Sequence, residues 1–221
     1  MQEKAWGRLS NSLLSNSLLK EKFVENKIAL LVIDMQYDLT AQGYGVLKYV
    51  KELGISEGYE YYYDRIKNDI IPNIQELLTR FRKNKSTVIF SKIRPHSIKY
   101  NNDEIEDTSL EGGVILKEVE PMADEKVITK NGQNIFENTG LDPFLREREI
   151  DTLIVVGVLT NECIESSVMD AVRKNYNVIV AEDSTAAFSE DLHNHSLDNL
   201  DDMAMSIAST KKIINVLGNS I

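Results

Sequence analysis

At 221 residues, with 42% apolar and 27% charged side chains, the chain is long enough for one folded domain with elaborations and too rich in core formers to be disordered. Twenty-five Lys and Arg against 35 Asp and Glu leave a net charge of −10, which argues against a nucleic-acid partner, because phosphate binding needs clustered cations. One cysteine, Cys163, excludes an intramolecular disulfide and a multi-cysteine zinc site, and makes a reducing, cytoplasmic setting the expectation.

In chain order, residues 1–26 read as an N-terminal extension. No apolar run there matches a signal-peptide core, and none in the chain approaches the ~18 residues of a membrane span, so no membrane partner is expected. Trp6, Leu9, Leu13 and Leu14 have amphipathic spacing and are expected to pack on the body or on another subunit. Residues 27–221 read as a single domain. Candidate strands fall at 28–34, 87–91, 126–129, 152–158, 177–181 and 212–216. Most are continuous apolar runs, the pattern of parallel strands covered on both faces. Helical periods fall between them at 70–81, 141–148, 162–174 and 192–207. This βαβ alternation predicts an α/β fold: a doubly wound, mostly parallel six-stranded sheet with helices on both faces. The segments 37–64 and 96–124 are polar or irregular and read as insertions at strand ends, where open α/β sheets keep their sites.

Three strand ends carry candidate chemistry. Asp34 closes the run Ile28-Ala29-Leu30-Leu31-Val32-Ile33, Lys130 closes Val127-Ile128-Thr129, and Cys163 follows Leu153 to Val158 by a short turn. Thr160 or Asn161 is positioned to cap the next helix, which puts the thiol in its first turn, where unpaired N–H groups and the dipole favour a thiolate. Each residue also has a plain reading: a lone cysteine is commonly core, an acid at a strand end commonly a cap, and a lysine leaving a strand commonly solvated. Acid, cation and thiol on one side of one sheet are nonetheless the charges a cysteine amidohydrolase needs.

These residues resemble the isochorismatase-like cysteine hydrolases, a family that includes N-carbamoylsarcosine amidase, nicotinamidase, ureidoacrylate amidohydrolase and biuret hydrolase. The likeness runs through Leu31-Val32-Ile33-Asp34-Met35-Gln36, Ile71-Pro72-Asn73-Ile74, Lys130 with Phe136, Thr139 and Leu141, Gly157-Val158-Leu159-Thr160-Asn161-Glu162-Cys163, Asp170-Ala171 and Glu182-Asp183. It implies that Asp34, Lys130 and Cys163 are a catalytic triad. It further implies a cis peptide between Val158 and Leu159, and an oxyanion site made by the backbone N–H groups of Leu159 and Cys163. The implied reaction is hydrolysis of a C–N bond in a small amide, ureide or carbamoyl compound through a thioester, with no cofactor, in a homodimer or homotetramer. The competing expectation is a catalytically silent binding or scaffold protein that keeps the fold.

Nicotinamidases add a metal held by an Asp-x-His pair and a further histidine downstream of the first strand. This chain has no histidine between Asp34 and Pro95, so no metal site is expected. His193-x-His195 stands at the start of a late helix without an evident third ligand and reads as surface or capping. Isochorismatases that cleave a vinyl ether lack the cysteine, which directs Cys163 toward C–N hydrolysis. Candidate substrate contacts are Gln36, Tyr37, Arg94, Asn134 and Phe136. Arg94 has the geometry to clamp a carboxylate, and the alternatives are solvated arginine and core Phe136. The aromatic stretch Gly58-Tyr59-Glu60-Tyr61-Tyr62-Tyr63-Asp64 reads as a lid or subunit contact, the alternative being loop tyrosines without a function.

Overall fold

The computed structural model describes residues 16–45, 59–94, 98–100, 103–105, 113–201 and 206–218. Trp6, Leu9, Leu13 and Leu14 lie outside them, as do parts of both predicted insertions. A six-stranded, all-parallel sheet runs in the order β5-β2-β1-β6-β7-β8, from β1 (Ile28–Ile33), β2 (Thr87–Ile93), β5 (Lys126–Lys130), β6 (Thr152–Val158), β7 (Asn177–Ala186) and β8 (Ser206–Ala208). A short antiparallel pair, β3 (Ile98–Tyr100) and β4 (Asp103–Ile105), stands apart from it.

The apolar runs follow from burial on both faces. Along β1, Ile28, Leu30 and Val32 enter one core layer with Leu77, Phe81 and Ile213. Ala29, Leu31 and Ile33 enter the other with Leu145, Val168 and Leu197. The covering helices are α1 (Asn16–Val24), α2 (Tyr37–Thr40), α3 (Tyr59–Arg65), α4 (Ile71–Lys83), α5 (Leu141–Glu147), α6 (Glu165–Arg173), α7 (Glu190–Asp201) and α8 (Thr210–Leu217). On α4 the buried residues Ile74, Leu77, Leu78 and Phe81 recur at the spacing of one helical face. Helix α1 buries Leu19 and Phe23, with Phe23 edge-on to Phe81 at 5.1 Å. Burial of two such side chains contributes on the order of 1.5–3 kcal/mol each.

Three expectations are corrected. The predicted strand 212–216 is helix α8: Ile213 and Leu217 are one turn apart on the buried side, Ser209 caps its N-terminus by accepting from the Lys212 N–H, and Gly218 ends it. The predicted helix 192–207 runs too far, because α7 ends at Asp201 and Ile207 lies in β8, paired with Val180. The helix expected to begin at Ile70 begins at Tyr59 and runs to Lys83, with one widened π-type turn at Ile66–Ile70. Pro72 accounts for that turn: it has no N–H, and its ring would strike the carbonyl four residues back in a regular helix.

The chain starts in the centre of the sheet, builds outward through β2 to β5, and then returns to lay β6, β7 and β8 on the other side of β1. The order reverses between β1 and β6. In open α/β sheets the crevice beyond the carboxyl ends of the strands at such a reversal is where ligands bind.

Gly157 sets how close those two strands come. It pairs with Ile33, lies at a register shift and has a φ of +113°, and a Cβ at that position would stand 2.0 Å from the Ile33 carbonyl oxygen. Gly157→Ala is therefore expected to lose on the order of 3 kcal/mol or more of stability and to displace Asp34, the next residue after Ile33. Chemical denaturation compared with wild type checks this; an unchanged midpoint would contradict it.

Candidate active site

Asp34 leaves β1 in a left-handed conformation, φ +52°, a region that Asp tolerates better than bulky residues. This turns its carboxylate into the crevice, where it is completely buried. Its N–H donates to the Ser91 carbonyl at 3.2 Å, and the Ser91 hydroxyl donates to Oδ1 at 2.7 Å. Lys130 ends β5 opposite Ile93 and reaches past the end of β2. Its buried Nζ lies 2.6 Å from Asp34 Oδ2, and donates to the Gly132 carbonyl at 3.0 Å and to Cys163 Sγ at 3.2 Å. Three strands spread along the chain thus deliver the acid, the cation and the thiol to one buried point.

Cys163 arrives on a π-type turn, Thr160–Ile164, between β6 and α6. Such widened turns are frequent at functional sites. The Val158–Leu159 peptide before it is cis. Two expectations at this turn are corrected. Neither Thr160 nor Asn161 supplies a side-chain cap: Leu159 holds the cap position, Thr160 turns its hydroxyl to His193, and the buried Asn161 Oδ1 accepts no hydrogen bond. The thiolate is also not the resting form. Burial, then the charge of Asp34, push the Cys163 thiol up to about 12, and Lys130 opposes this only in part. The thiol is thus held toward its neutral form beside the Asp34–Lys130 salt bridge.

The sign of this shift has a measurable consequence. A folded-state pKa above the ordinary 9.0 means that the neutral thiol favours the folded chain fully below about 9, a contribution lost as pH rises from about 9 toward about 12. Alkylation of Cys163 by iodoacetamide is expected to be slower at pH 7 than in the unfolded chain and still rising at about pH 10.5, where an ordinary thiol has levelled off. A plateau near about pH 9 would contradict it.

The other residues singled out in the sequence fall in varied places. Both ends of the buried Gln36 amide are engaged by Ile93: Nε2 donates to its carbonyl at 3.0 Å, and Oε1 accepts from its N–H at 2.7 Å. Gln36 therefore ties down the carboxyl end of β2 and helps fix the bend that carries Asp34. Asn134 is engaged similarly, donating to Asp170 Oδ2 at 3.1 Å and accepting from the Phe136 N–H at 2.9 Å. Phe136 is buried against Tyr176, ring centres 5.8 Å apart. Tyr37 is part-buried and packs on Tyr44. Arg94 is exposed, its N–H donating to the Lys130 carbonyl at 3.0 Å. Within the aromatic stretch, Tyr62 is fully buried, its hydroxyl donating to the Leu39 carbonyl at 2.9 Å and its ring 5.0 Å from Phe188. Burial pushes its phenol well above 10, with smaller contributions from Tyr63, Cys163 and Glu162.

His193 corrects its surface reading, for it is buried on α7 and bonded on both ring nitrogens, whereas His195 is exposed. Among the described residues no three His, Cys, Asp or Glu side chains are grouped to hold a metal ion. Sequence reasoning passed over Ser91, which only strand register reveals, and the link from His193 to Thr160. A cleft of about 610 Å³, lined by Arg82, Lys85, Thr87, Lys126, Phe144 and Arg148 among others, opens at the amino ends of β2 and β5, the far end of the sheet from Cys163. A smaller hollow of about 210 Å³ lies beside Lys130, Gly132 and Glu137.

A doubly wound parallel sheet with a thiol, an acid and a cation at the point where its order reverses has the isochorismatase-like α/β architecture. The chain belongs to the isochorismatase family, whose Isochorismatase domain matches residues 28–212, and it is a hydrolase of that family. It is 27% identical over 207 residues to the isochorismatase family protein YrdC of Bacillus subtilis (strain 168), covering 87% of this chain and 97% of that one. Over 71 residues it is 38% identical to the ureidoacrylate amidohydrolase RutB of Agrobacterium fabrum, a match to 32% of this chain and 31% of the relative. The crystal structure of an isochorismatase-like hydrolase from Alkaliphilus metalliredigens superposes with a TM-score of 0.68 at 26% identity, over 87% of this chain and 97% of the other.

Proposed function

We propose that the chain is a cysteine-dependent hydrolase of C–N bonds in small amides, ureides or carbamoyl compounds. The observation that carries this reading is the position of the Lys130 ammonium, 2.6 Å from the Asp34 carboxylate and 3.2 Å from the Cys163 sulfur, all three side chains buried. A neutral thiol next to a carboxylate is a nucleophile waiting for its base. Asp34 takes the thiol proton as sulfur attacks the carbonyl carbon, and Lys130 stabilises the anionic charge as it moves between sulfur and carboxylate. The backbone N–H groups of Leu159 and Cys163 bind the tetrahedral oxyanion, a role worth about 3 kcal/mol per donor in comparable sites. Collapse breaks the C–N bond, and protonated Asp34 gives its proton to the departing ammonia or amine. A water deprotonated by the same carboxylate then attacks the thioester carbonyl, the C–S bond breaks, and Asp34 returns the proton to the departing sulfur, which restores the thiol. A high thiol pKa suits this cycle, since the thiolate formed at the moment of attack is the more nucleophilic for it.

Likeness to a ureidoacrylate amidohydrolase supports the ureide and carbamoyl branch. Ammonia release from a panel of small amides, ureides and carbamoyl compounds tests the proposal. The expected result is release from at least one ureide or carbamoyl compound, abolished by prior alkylation of Cys163. Release that survives complete alkylation, or none from any compound, would overturn it.

A further inference from the structure

We propose that His193, on α7, is a positioning residue that holds the nucleophile-bearing turn in register with Asp34 and Lys130. The inference rests on the proposed thiol chemistry but reaches residues outside the triad. His193 Nε2 lies 3.0 Å from Arg65 Nη2, and Nδ1 lies 2.8 Å from Thr160 Oγ1. A guanidinium has only N–H groups to offer, so Nε2 accepts and the ring proton sits on Nδ1, donated to Thr160. Arg65 is itself fixed, its Nε donating to the Thr185 carbonyl at 3.0 Å and its Nη2 to the Glu182 carbonyl at 2.7 Å. The chain of contacts therefore runs from β7 through Arg65 and the imidazole to Thr160. Ser196, one helical turn along α7, lies 3.0 Å from the Thr160 carbonyl and 2.6 Å from Glu165 Oε2.

Thr160 sits between the two functional backbone positions, directly after Leu159 and on the same turn as Cys163. The turn has no side-chain cap of its own, so this hydroxyl contact secures it from outside. Displacements of about 1 Å in a catalytic group can cost about 100-fold in rate, which is why a contact that never touches substrate matters for turnover. Relaxing the turn would also move the sulfur out of its buried place beside Asp34, the two causes that hold the thiol protonated.

Two substitutions separate the two ring nitrogens. The amide of His193→Asn lies near the place of Nδ1 and keeps a donor for Thr160; that of His193→Gln lies near Nε2 and keeps only an acceptor for Arg65. On a compound that wild type hydrolyses, His193→Gln and Thr160→Val are each expected to lower kcat by about 30- to 100-fold with KM within about threefold, while His193→Asn and Thr160→Ser retain about a third or more of kcat. The double variant His193→Gln/Thr160→Val should lose no more than either single change, because both break one contact. A second readout needs no substrate: iodoacetamide alkylation of Cys163 at pH 9 should speed up by about threefold or more in His193→Gln and Thr160→Val, and stay unchanged in His193→Asn. This arm stands even if the proposed C–N hydrolysis fails. Equal behaviour of the Asn and Gln variants, retention by Gln but not Asn, or a fall in melting temperature with kcat and alkylation unchanged would each overturn the proposal.

Discussion

Replacing Lys130 with methionine is expected to abolish turnover and to lower stability by about 3–5 kcal/mol, the range seen when one partner of a buried ion pair is removed. The size follows from its surroundings. The Lys130 and Asp34 side chains are both 0% exposed and 2.6 Å apart, so the variant leaves a carboxylate in the interior with no cation, answered by the neutral Ser91 hydroxyl and Cys163 thiol. In a chain of this length such a loss lowers the melting temperature by about 10 °C, readable by thermal unfolding. The thiol loses the one neighbour that lowers its pKa, so alkylation should slow further. Asp34→Asn should act in the opposite sense on the sulfur. It removes the charge that raises the thiol and leaves the Lys130 cation, so alkylation quickens while turnover disappears for want of a base. The double variant Asp34→Asn/Lys130→Met removes both charges and should recover much of the stability lost by Lys130→Met without recovering activity. A Lys130→Met chain that melts like wild type would contradict the burial argument.

Cys163→Ala is expected to show the largest change in rate at almost no cost in fold. It deletes one sulfur that the Asp34–Lys130 pair does not need for its own contact, so stability should stay within about 1 kcal/mol. Turnover should fall by about 10⁴-fold or more, because a site built around a nucleophile retains little rate without it. Cys163→Ser should be nearly as inactive, since the hydroxyl is far harder to ionise beside a carboxylate that already raises a thiol. Measured ammonia release per folded molecule, with far-ultraviolet circular dichroism as the check on folding, separates this from general damage.

The parts of the structure that were legible in the sequence are those where local pattern and tertiary burial agree. β1 and β6 read as strands because both faces are covered, and the runs therefore carry no polar interruption until Asp34 and the turn after Val158. The apolar residues of α8 misled because the segment 212–216 is short enough to suit either a strand or a helix, and only the caps at Ser209 and Gly218 decide. β8 is three residues long and carries no pattern of its own; its partner β7 creates it. Asp34 and Lys130 stood out as charged residues closing apolar runs, and Cys163 as the lone thiol a short turn after one, and the structure brings the three together. The partners of these residues were not legible. Ser91 lies inside its strand, and His193 stood out only as half of the His193-x-His195 pair, so each acquires its partner through register or packing. Gln36 and Asn134 drew attention for standing near the triad, and the fold engages both their amides, Gln36 with the Ile93 backbone and Asn134 with the Asp170 carboxylate and the Phe136 N–H.

The claim that Cys163 carries the acyl group during turnover is tested most directly by acid-quenching the enzyme while it releases ammonia from an active ureide or carbamoyl compound, then measuring peptide masses. The expected result is the acyl fragment of that compound on the peptide containing Cys163, removed by hydroxylamine and absent from Cys163→Ala. An acyl group on any other residue, or ammonia released by Cys163→Ala at the wild-type rate, would contradict the account.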